Sequence, residues 1–176
     1  MRLAPDETAY LINLTGVEAQ KVLSVTADGA RSLFETSVSC IGGKTCQVGT
    51  RDSQGLLAAC VAAVREAGVP DGALPQMHIS GCPSSCGTHQ TGAMGFRGAS
   101  KLVDGKPQAA FTFFLGGNSR QGQEAMGREL GVMLEERIPA FLVELGQTVA
   151  ASGMDFDAWR QADPDGVERV AAPYLA

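Results

Sequence analysis

The chain has 176 residues, of which 44% are hydrophobic and 19% charged, and this length suffices for one compact domain that needs no disulfides or metal to fold. Its 14 Lys and Arg residues against 19 Asp and Glu residues give a net charge of -5, which disfavours a nucleic-acid partner. It lacks an apolar run near the roughly 20 residues that cross a bilayer, and it lacks the pattern of a secretory signal at its start. We therefore expect a cytoplasmic protein without a membrane partner.

The first half of the chain is predicted to alternate short strands and helices. Strand-forming residues, turn signals and apolar residues at three- and four-residue spacing place the elements. The predicted strands are 8–14, 37–40 and 77–79, and the predicted helices are 17–25 and 52–67.

The second half is predicted to contain two more strands, followed by helices. The strands are 93–97 and 108–115, joined by a turn at 104–107, and alternate residues of the second strand suggest that both of its faces are covered. The remainder is predicted to be helical, at 123–136, 139–151, 156–161 and 166–174. Together these elements predict an α+β fold, with a small mixed or antiparallel sheet flanked by helices, and one domain over 1–176.

Four of the five cysteines form two pairs, Cys40-x5-Cys46 and Cys82-x3-Cys86, and each pair follows a predicted strand. An odd cysteine count without a secretion signal favours reduced thiols and metal ligation over a disulfide framework. A 4Fe-4S cluster needs four thiolates, and short spacings within a loop suit it. Cys60 lies instead on the apolar stripe of its predicted helix, so we interpret it as a core residue.

Two other interpretations of the cysteine pairs remain open at this point. Zinc prefers ligand pairs separated by two to four residues, so Cys82 and Cys86 would suit it, whereas the spacing of Cys40 and Cys46 would be unusual. The thiols could also be buried and unligated. A cluster is anionic, so glycine backbone in the loops and the N-terminus of the helix that begins near residue 52 would stabilise it, if that terminus points at the sulfurs.

The segments CIGGKTC, GCPSSCGTHQTGAMGFRG and FTFFLGGN resemble the C-terminal, cluster-binding domain of the sirohaem nitrite and sulfite reductases. The resemblance covers about residues 36–150 and is carried by both cysteine motifs in their context. It implies that Cys40, Cys46, Cys82 and Cys86 ligate a 4Fe-4S cluster. It also implies that Cys86 bridges the cluster to the iron of sirohaem as its proximal axial ligand.

The family's reaction is the six-electron reduction of nitrite or sulfite, in which single electrons pass from the cluster through the bridging cysteine to sirohaem. The resemblance therefore implies an iron-sulfur redox domain. Full-length reductases are considerably longer, and residues 1–14 look like the trailing strand of a missing ferredoxin-like domain. We expect the remaining reductase domains or a partner subunit, a ferredoxin-like or flavoprotein electron donor, and no reductase activity from this chain alone.

Four loop residues are further candidates for cofactor contact, each with a plain structural alternative. Lys44 could offset cluster charge or meet a sirohaem carboxylate, or it could be an exposed loop lysine. Ser84 and Ser85 could donate hydrogen bonds to sulfur. His89 could donate a proton or contact a haem carboxylate, or it could simply bond to backbone.

Two alternative functions share the cysteine pattern. One is a protein like precorrin-3B synthase, whose cysteine motif is similar but which does not use sirohaem. The other is a stand-alone 4Fe-4S electron-transfer module without haem. Optical spectra separate these cases, because sirohaem absorbs strongly near the edge of the ultraviolet and in the red, a bare cluster gives a broad brown shoulder, and zinc gives no colour.

Overall fold

The structure is a computed structural model that describes residues 1–3, 9–26 and 29–176. The chain forms two compact units, Met1–Arg31 and Ser32–Ala176. The sequence predicts a single domain over 1–176.

The first unit contains a two-stranded antiparallel sheet and one helix. The strands are β1 (Arg2–Leu3) and β2 (Ala9–Tyr10), so the strand predicted at 8–14 is short; Thr8 lies outside the described residues. Asn13 adopts a left-handed backbone (φ 59°), which ends the extended segment. The predicted helix is confirmed as α1 (Gly16–Val25), and a capping box between Thr15 and Glu18 starts it.

The second unit is built on one five-stranded sheet with the spatial order β3-β4-β5-β6-β7. The first three strands run parallel to one another and the last three antiparallel, so the sheet is mixed. The bounds are β3 (Val38–Ser39), β4 (Met77–Ser80), β5 (Met94–Val103), β6 (Lys106–Leu115) and β7 (Arg128–Leu134).

Four α-helices flank this sheet and confirm the α+β fold class. They match the helices predicted at 52–67, 139–151, 156–161 and 166–174. Their bounds are α2 (Ser53–Glu66), α3 (Ile138–Ala151), α4 (Phe156–Ala162) and α5 (Gly166–Ala171), with short 3-10 helices at Phe34–Thr36, Glu135–Arg137 and Ala172–Tyr174. Within the described ranges, no helix combines the length and apolarity that crossing a bilayer requires.

Strand β6 lies at the centre of the core, and both of its faces are covered as predicted. Phe111, Phe113 and Ala110 are fully buried. The ring of Phe113 stacks on Phe96 at a centroid distance of 5.0 Å and meets the edge of Phe141 at 5.3 Å. These contacts join β5, β6 and α3 into one apolar core.

The predicted helix at 123–136 is wrong: the structure has strand β7 there, followed by a 3-10 helix. Pairing with β6 places Met133 opposite Phe111 and buries it completely. Gly131 has a φ of 151°, a backbone conformation that suits glycine and interrupts a helix. Tertiary pairing with the edge of β6 therefore overrides the helix-favouring Glu, Leu and Met side chains.

The parallel pairing of β3 with β4 determines where the cysteines lie. Val38 is paired with His78, and Ser39 with Ile79, so both strands end at the same edge of the sheet. Cys40 directly follows β3, and Cys82 comes two residues after β4. The fold thereby delivers both cysteine pairs to one place.

Candidate functional site

The first cysteine loop (residues 40–46) and the second cysteine loop (residues 81–87) are in direct contact. The N–H of Cys40 donates to the carbonyl oxygen of Ile79 at 3.0 Å, which continues the pairing of the strands. The carbonyl oxygen of Gly81 accepts from the N–H groups of Thr50 at 3.2 Å and Arg51 at 3.0 Å, in the segment that follows the first loop. Backbone hydrogen bonds therefore fasten the two loops together.

Glycines make this close contact possible. A side chain at Gly81 would place its Cβ 2.6 Å from the carbonyl oxygen of Arg51 and 3.4 Å from the Cα of Gly42. Gly42 also has a φ of 72°, where other residues are strained. The glycines beside the cysteines thus let backbone pack on backbone.

The thiol of Cys40 is held by groups from both sides of the contact. The N–H of Gly81 donates to its Sγ at 3.1 Å. The Oγ of Ser53, the first residue of α2, lies 3.3 Å from the same sulfur and donates to the carbonyl oxygen of Cys40 at 2.8 Å. The start of α2 therefore adjoins Cys40, which agrees with the hypothesis that the helix N-terminus stabilises negative charge there.

Lys44 lies in the first cysteine loop, and its ammonium is 2.6 Å from the carboxylate of Asp52. This hydrogen bond raises the pKa of Lys44 and lowers the pKa of Asp52. Asp52 also caps α2, because its side chain accepts from the N–H of Gly55 at 3.0 Å. The side chain of Lys44 remains 76% exposed, so this ion pair lies at the surface of the loop.

The two thiols of the second cysteine loop differ in exposure: Cys82 is buried and Cys86 is exposed. Hydrogen bonds from the side chain and backbone of Ser84 lower the pKa of Cys82, which favours its thiolate. The Sγ of Cys86 lies 3.9 Å from the carbonyl oxygen of Ser84. Ser84 therefore lies next to both thiols of the second cysteine loop.

Ser85 and His89 are engaged elsewhere in the structure. The hydroxyl of Ser85 donates to the carbonyl oxygen of Pro83 at 3.1 Å and accepts from the side-chain amide of Gln90 at 2.6 Å. His89 is 1% exposed, and its Nδ1 is 2.9 Å from the Oγ of Ser80. Burial, helped by the charge of Arg97, lowers the pKa of His89 to about 4, so it is neutral at pH 7.

The residues present fit a 4Fe-4S cluster in donor type, and the loops that carry them are in contact. Four thiols are the usual ligand set of such a cluster, and all four lie on loops that touch; in the described part of the chain every cysteine is free. Among those same residues, no three His, Cys, Asp or Glu side chains are grouped to hold a metal ion. The described structure therefore brings the two loops into contact without grouping their thiols as a metal site.

Cys60 is fully buried, as the sequence predicts, and burial raises the pKa of its thiol to about 12. Sequence reasoning missed two residues that organise the site, Ser53 and Ser80. The Nε of Arg51 donates to the carbonyl oxygen of Ala99 at 2.5 Å and so connects the segment that follows the first cysteine loop to β5. The sequence held a signal for both serines. Ser53 stands at the start of the predicted helix that follows the first cysteine loop, and Ser80 stands between the predicted strand 77–79 and the second cysteine loop.

Comparison with known proteins supports the fold assignment. No protein-family model matches the chain, and no curated protein is similar to it in sequence. Its structure resembles that of the NirA protein of Mycobacterium tuberculosis, with a TM-score of 0.66 and 18% sequence identity. The match covers 81% of this chain and 28% of that chain, so the two proteins share a fold over a region that is a minor part of NirA.

Glycine at position 98 is predicted to be required for the contact between β5 and the second cysteine loop. A methyl group there would collide with the carbonyl oxygen of Gly81 and approach the Cγ of Arg51 to 3.0 Å. We expect Gly98→Ala to lower the free energy of unfolding by about 1–3 kcal/mol, measured by urea titration. Gly16→Ala is the control, because nothing lies within 4 Å of its Cβ position; equal effects of the two substitutions would contradict the prediction.

His89 is predicted to make stability depend on pH between about 6.5 and 4. The unfolded chain titrates near the ordinary pKa of 6.5, while burial lowers the folded pKa to about 4. In this window the unfolded chain binds the extra proton, so stability is full above pH 6.5 and falls as the pH drops toward 4. Urea titrations at several pH values should show a shallower fall for His89→Asn. Burial also lowers the pKa of His78, but this histidine contributes equally to the pH dependence of the wild type and the variant. Identical slopes of stability against pH in the two proteins would refute the assignment to His89.

Proposed function

We propose that the second unit binds a 4Fe-4S cluster through Cys40, Cys46, Cys82 and Cys86 and is the iron-sulfur domain of a sirohaem-dependent nitrite or sulfite reductase. The observation that carries the proposal is the contact between the two cysteine loops at one edge of the sheet. The sequence resemblance and the fold shared with NirA both support it.

The chain's own residues would prepare the site for an anionic group. The N–H of Gly81 already donates to the Sγ of Cys40, and Ser84 already favours the thiolate of Cys82. Hydrogen bonds to sulfur stabilise negative charge and raise the reduction potential of a bound cluster. When bound, the cluster would supply one-electron transfer.

Cys86 is the residue that we propose as the shared ligand of the cluster and the iron of sirohaem. Its exposure supports this role, because a bridging thiol has to be open to a second cofactor on its outer side. Lys44, with its exposed charge on the neighbouring loop, is the proposed contact for a sirohaem carboxylate or for cluster charge. Ser85 and His89 would stabilise the second cysteine loop through their hydrogen bonds to Pro83, Gln90 and Ser80.

The proposal also concerns the parts of the protein around this chain. The chain corresponds to 28% of the length of NirA, so we propose that substrate binding depends on further reductase domains or a partner subunit. A ferredoxin-like or flavoprotein donor would supply electrons singly. Reduced ligand thiols suit a reducing compartment such as the cytosol.

Iron and acid-labile sulfide analysis of anaerobically reconstituted protein tests the proposal. We expect about four irons and four sulfides per chain with a broad brown absorption shoulder. Cys40→Ala and Cys82→Ala should each lose most of this iron, because the cluster would lack a thiolate. Cys60→Ala is the matched control and should keep the wild-type iron content, since Cys60 lies in the core.

Other results would contradict the proposal in different ways. If the wild-type chain takes up one zinc ion and no iron, the four cysteines form a zinc site and not a cluster site. Equal iron loss from Cys60→Ala would show that the loss reflects unfolding. Sirohaem would be shared with the further domains, so a protein that is complete with those domains or a partner subunit and shows the cluster spectrum without sirohaem would favour a module without haem or a protein like precorrin-3B synthase.

A further inference from the structure

A buried hydroxyl connects the two ends of the second cysteine loop. Ser80 is the last residue of β4 and stands directly before Gly81 and Cys82. Its Oγ accepts a hydrogen bond at 3.1 Å from the N–H of Gly87, which directly follows Cys86. Ser80 is only 1% exposed, so water does not compete for this bond.

The same hydroxyl has a second partner that fixes its orientation. A serine hydroxyl has one proton to donate, and Nδ1 of His89 lies 2.9 Å from Oγ of Ser80. Because Oγ accepts from Gly87, its proton is free to bond to the imidazole nitrogen. Burial keeps His89 neutral, since it lowers the pKa to about 4, so one imidazole nitrogen carries a proton and the bond to Ser80 forms with Nδ1 as acceptor or as donor, according to the tautomer.

Close packing holds the partners in place. A side chain at Gly87 would collide with the carbonyl oxygen of Ile79, and a side chain at Gly95 would collide with the carbonyl oxygen of His89. The ring of His89 also lies 4.9 Å from the ring of Phe114. The histidine is therefore seated between the loop and the sheet, and it has little freedom to turn away from Ser80.

We propose that Ser80 and His89 are positioning residues, which close the second cysteine loop and set the separation of Cys82 and Cys86 before any cofactor binds. This role rests on the proposed function and adds to it. The loop contains one left-handed residue, Ser85 (φ 62°), and a second, Thr88 (φ 51°), lies just beyond its end; such conformations persist where surrounding contacts enforce them. The Ser80–Gly87 and Ser80–His89 hydrogen bonds hold the backbone in this conformation. They thereby preorganise Cys82 and Cys86 on a loop with several exposed residues.

Amide hydrogen exchange of the cluster-free chain tests the loop closure. Ser80→Ala should raise the exchange rate of the Gly87 amide about tenfold, because it leaves a buried donor without its partner. Ser37→Ala is the matched control: Ser37 is also buried, donates to the carbonyl oxygen of Phe34 at 2.5 Å, and accepts from the N–H of Met77 at 2.8 Å. It should leave Gly87 unchanged. Equal exchange of Gly87 in both variants would overturn the proposal.

The rate of iron loss from reconstituted protein tests the positioning role. Ser80→Ala and His89→Leu should lose iron about tenfold faster than wild type, whereas His89→Asn, whose side-chain amide can accept or donate in place of Nδ1, should restore slow loss. Ser37→Ala should match wild type. Iron loss at the wild-type rate from Ser80→Ala would overturn the positioning role. If the wild-type chain takes up no iron, the proposed function fails, and the Gly87 exchange contrast alone then decides whether Ser80 closes the loop.

Discussion

The parallel pairing of β3 with β4 is the interaction on which the site depends. Two short strands in this register end side by side, so residues 42 positions apart in the chain, Cys40 and Cys82, emerge at the same sheet edge. A shift of one residue would turn the side chains of β4 to the opposite faces of the sheet. The buried side chains of Met77 and Ile79 lock this register, because both contribute to the core.

The loops beyond those strands meet through backbone, and this explains their composition. Carbonyl oxygens and amides of Gly81, Thr50 and Arg51 approach within hydrogen-bond distance, which leaves no volume for side chains at the adjoining glycines. Gly81 takes part in both roles, because its carbonyl oxygen accepts the bonds of this contact and its N–H donates to the Sγ of Cys40. Structural closure and charge stabilisation at Cys40 therefore meet at one residue, and Ser53 at the start of α2 adds a second polar group beside the sulfur.

Sequence reasoning succeeded where one local pattern dominates. The apolar spacing of α2 and α3 is strong, and the cysteine pairs stand beside strand-like segments, so the elements and the placement of both loops could be predicted. It failed at β7, because the residues of this segment favour a helix by themselves and become a strand through pairing with β6 in the folded chain. It also missed Ser80, because the importance of its hydroxyl arises from Gly87 and His89, which only the folded loop brings to it.

The central claim is that the touching cysteine loops supply four thiolates to one iron-sulfur cluster. X-ray absorption at the iron edge of the anaerobically reconstituted wild-type chain measures this most directly, because it reports the atoms around each iron. The account predicts a first shell of sulfur alone and a clear iron-iron contribution from neighbouring irons. A first shell of nitrogen or oxygen, or isolated irons without iron neighbours, would contradict it.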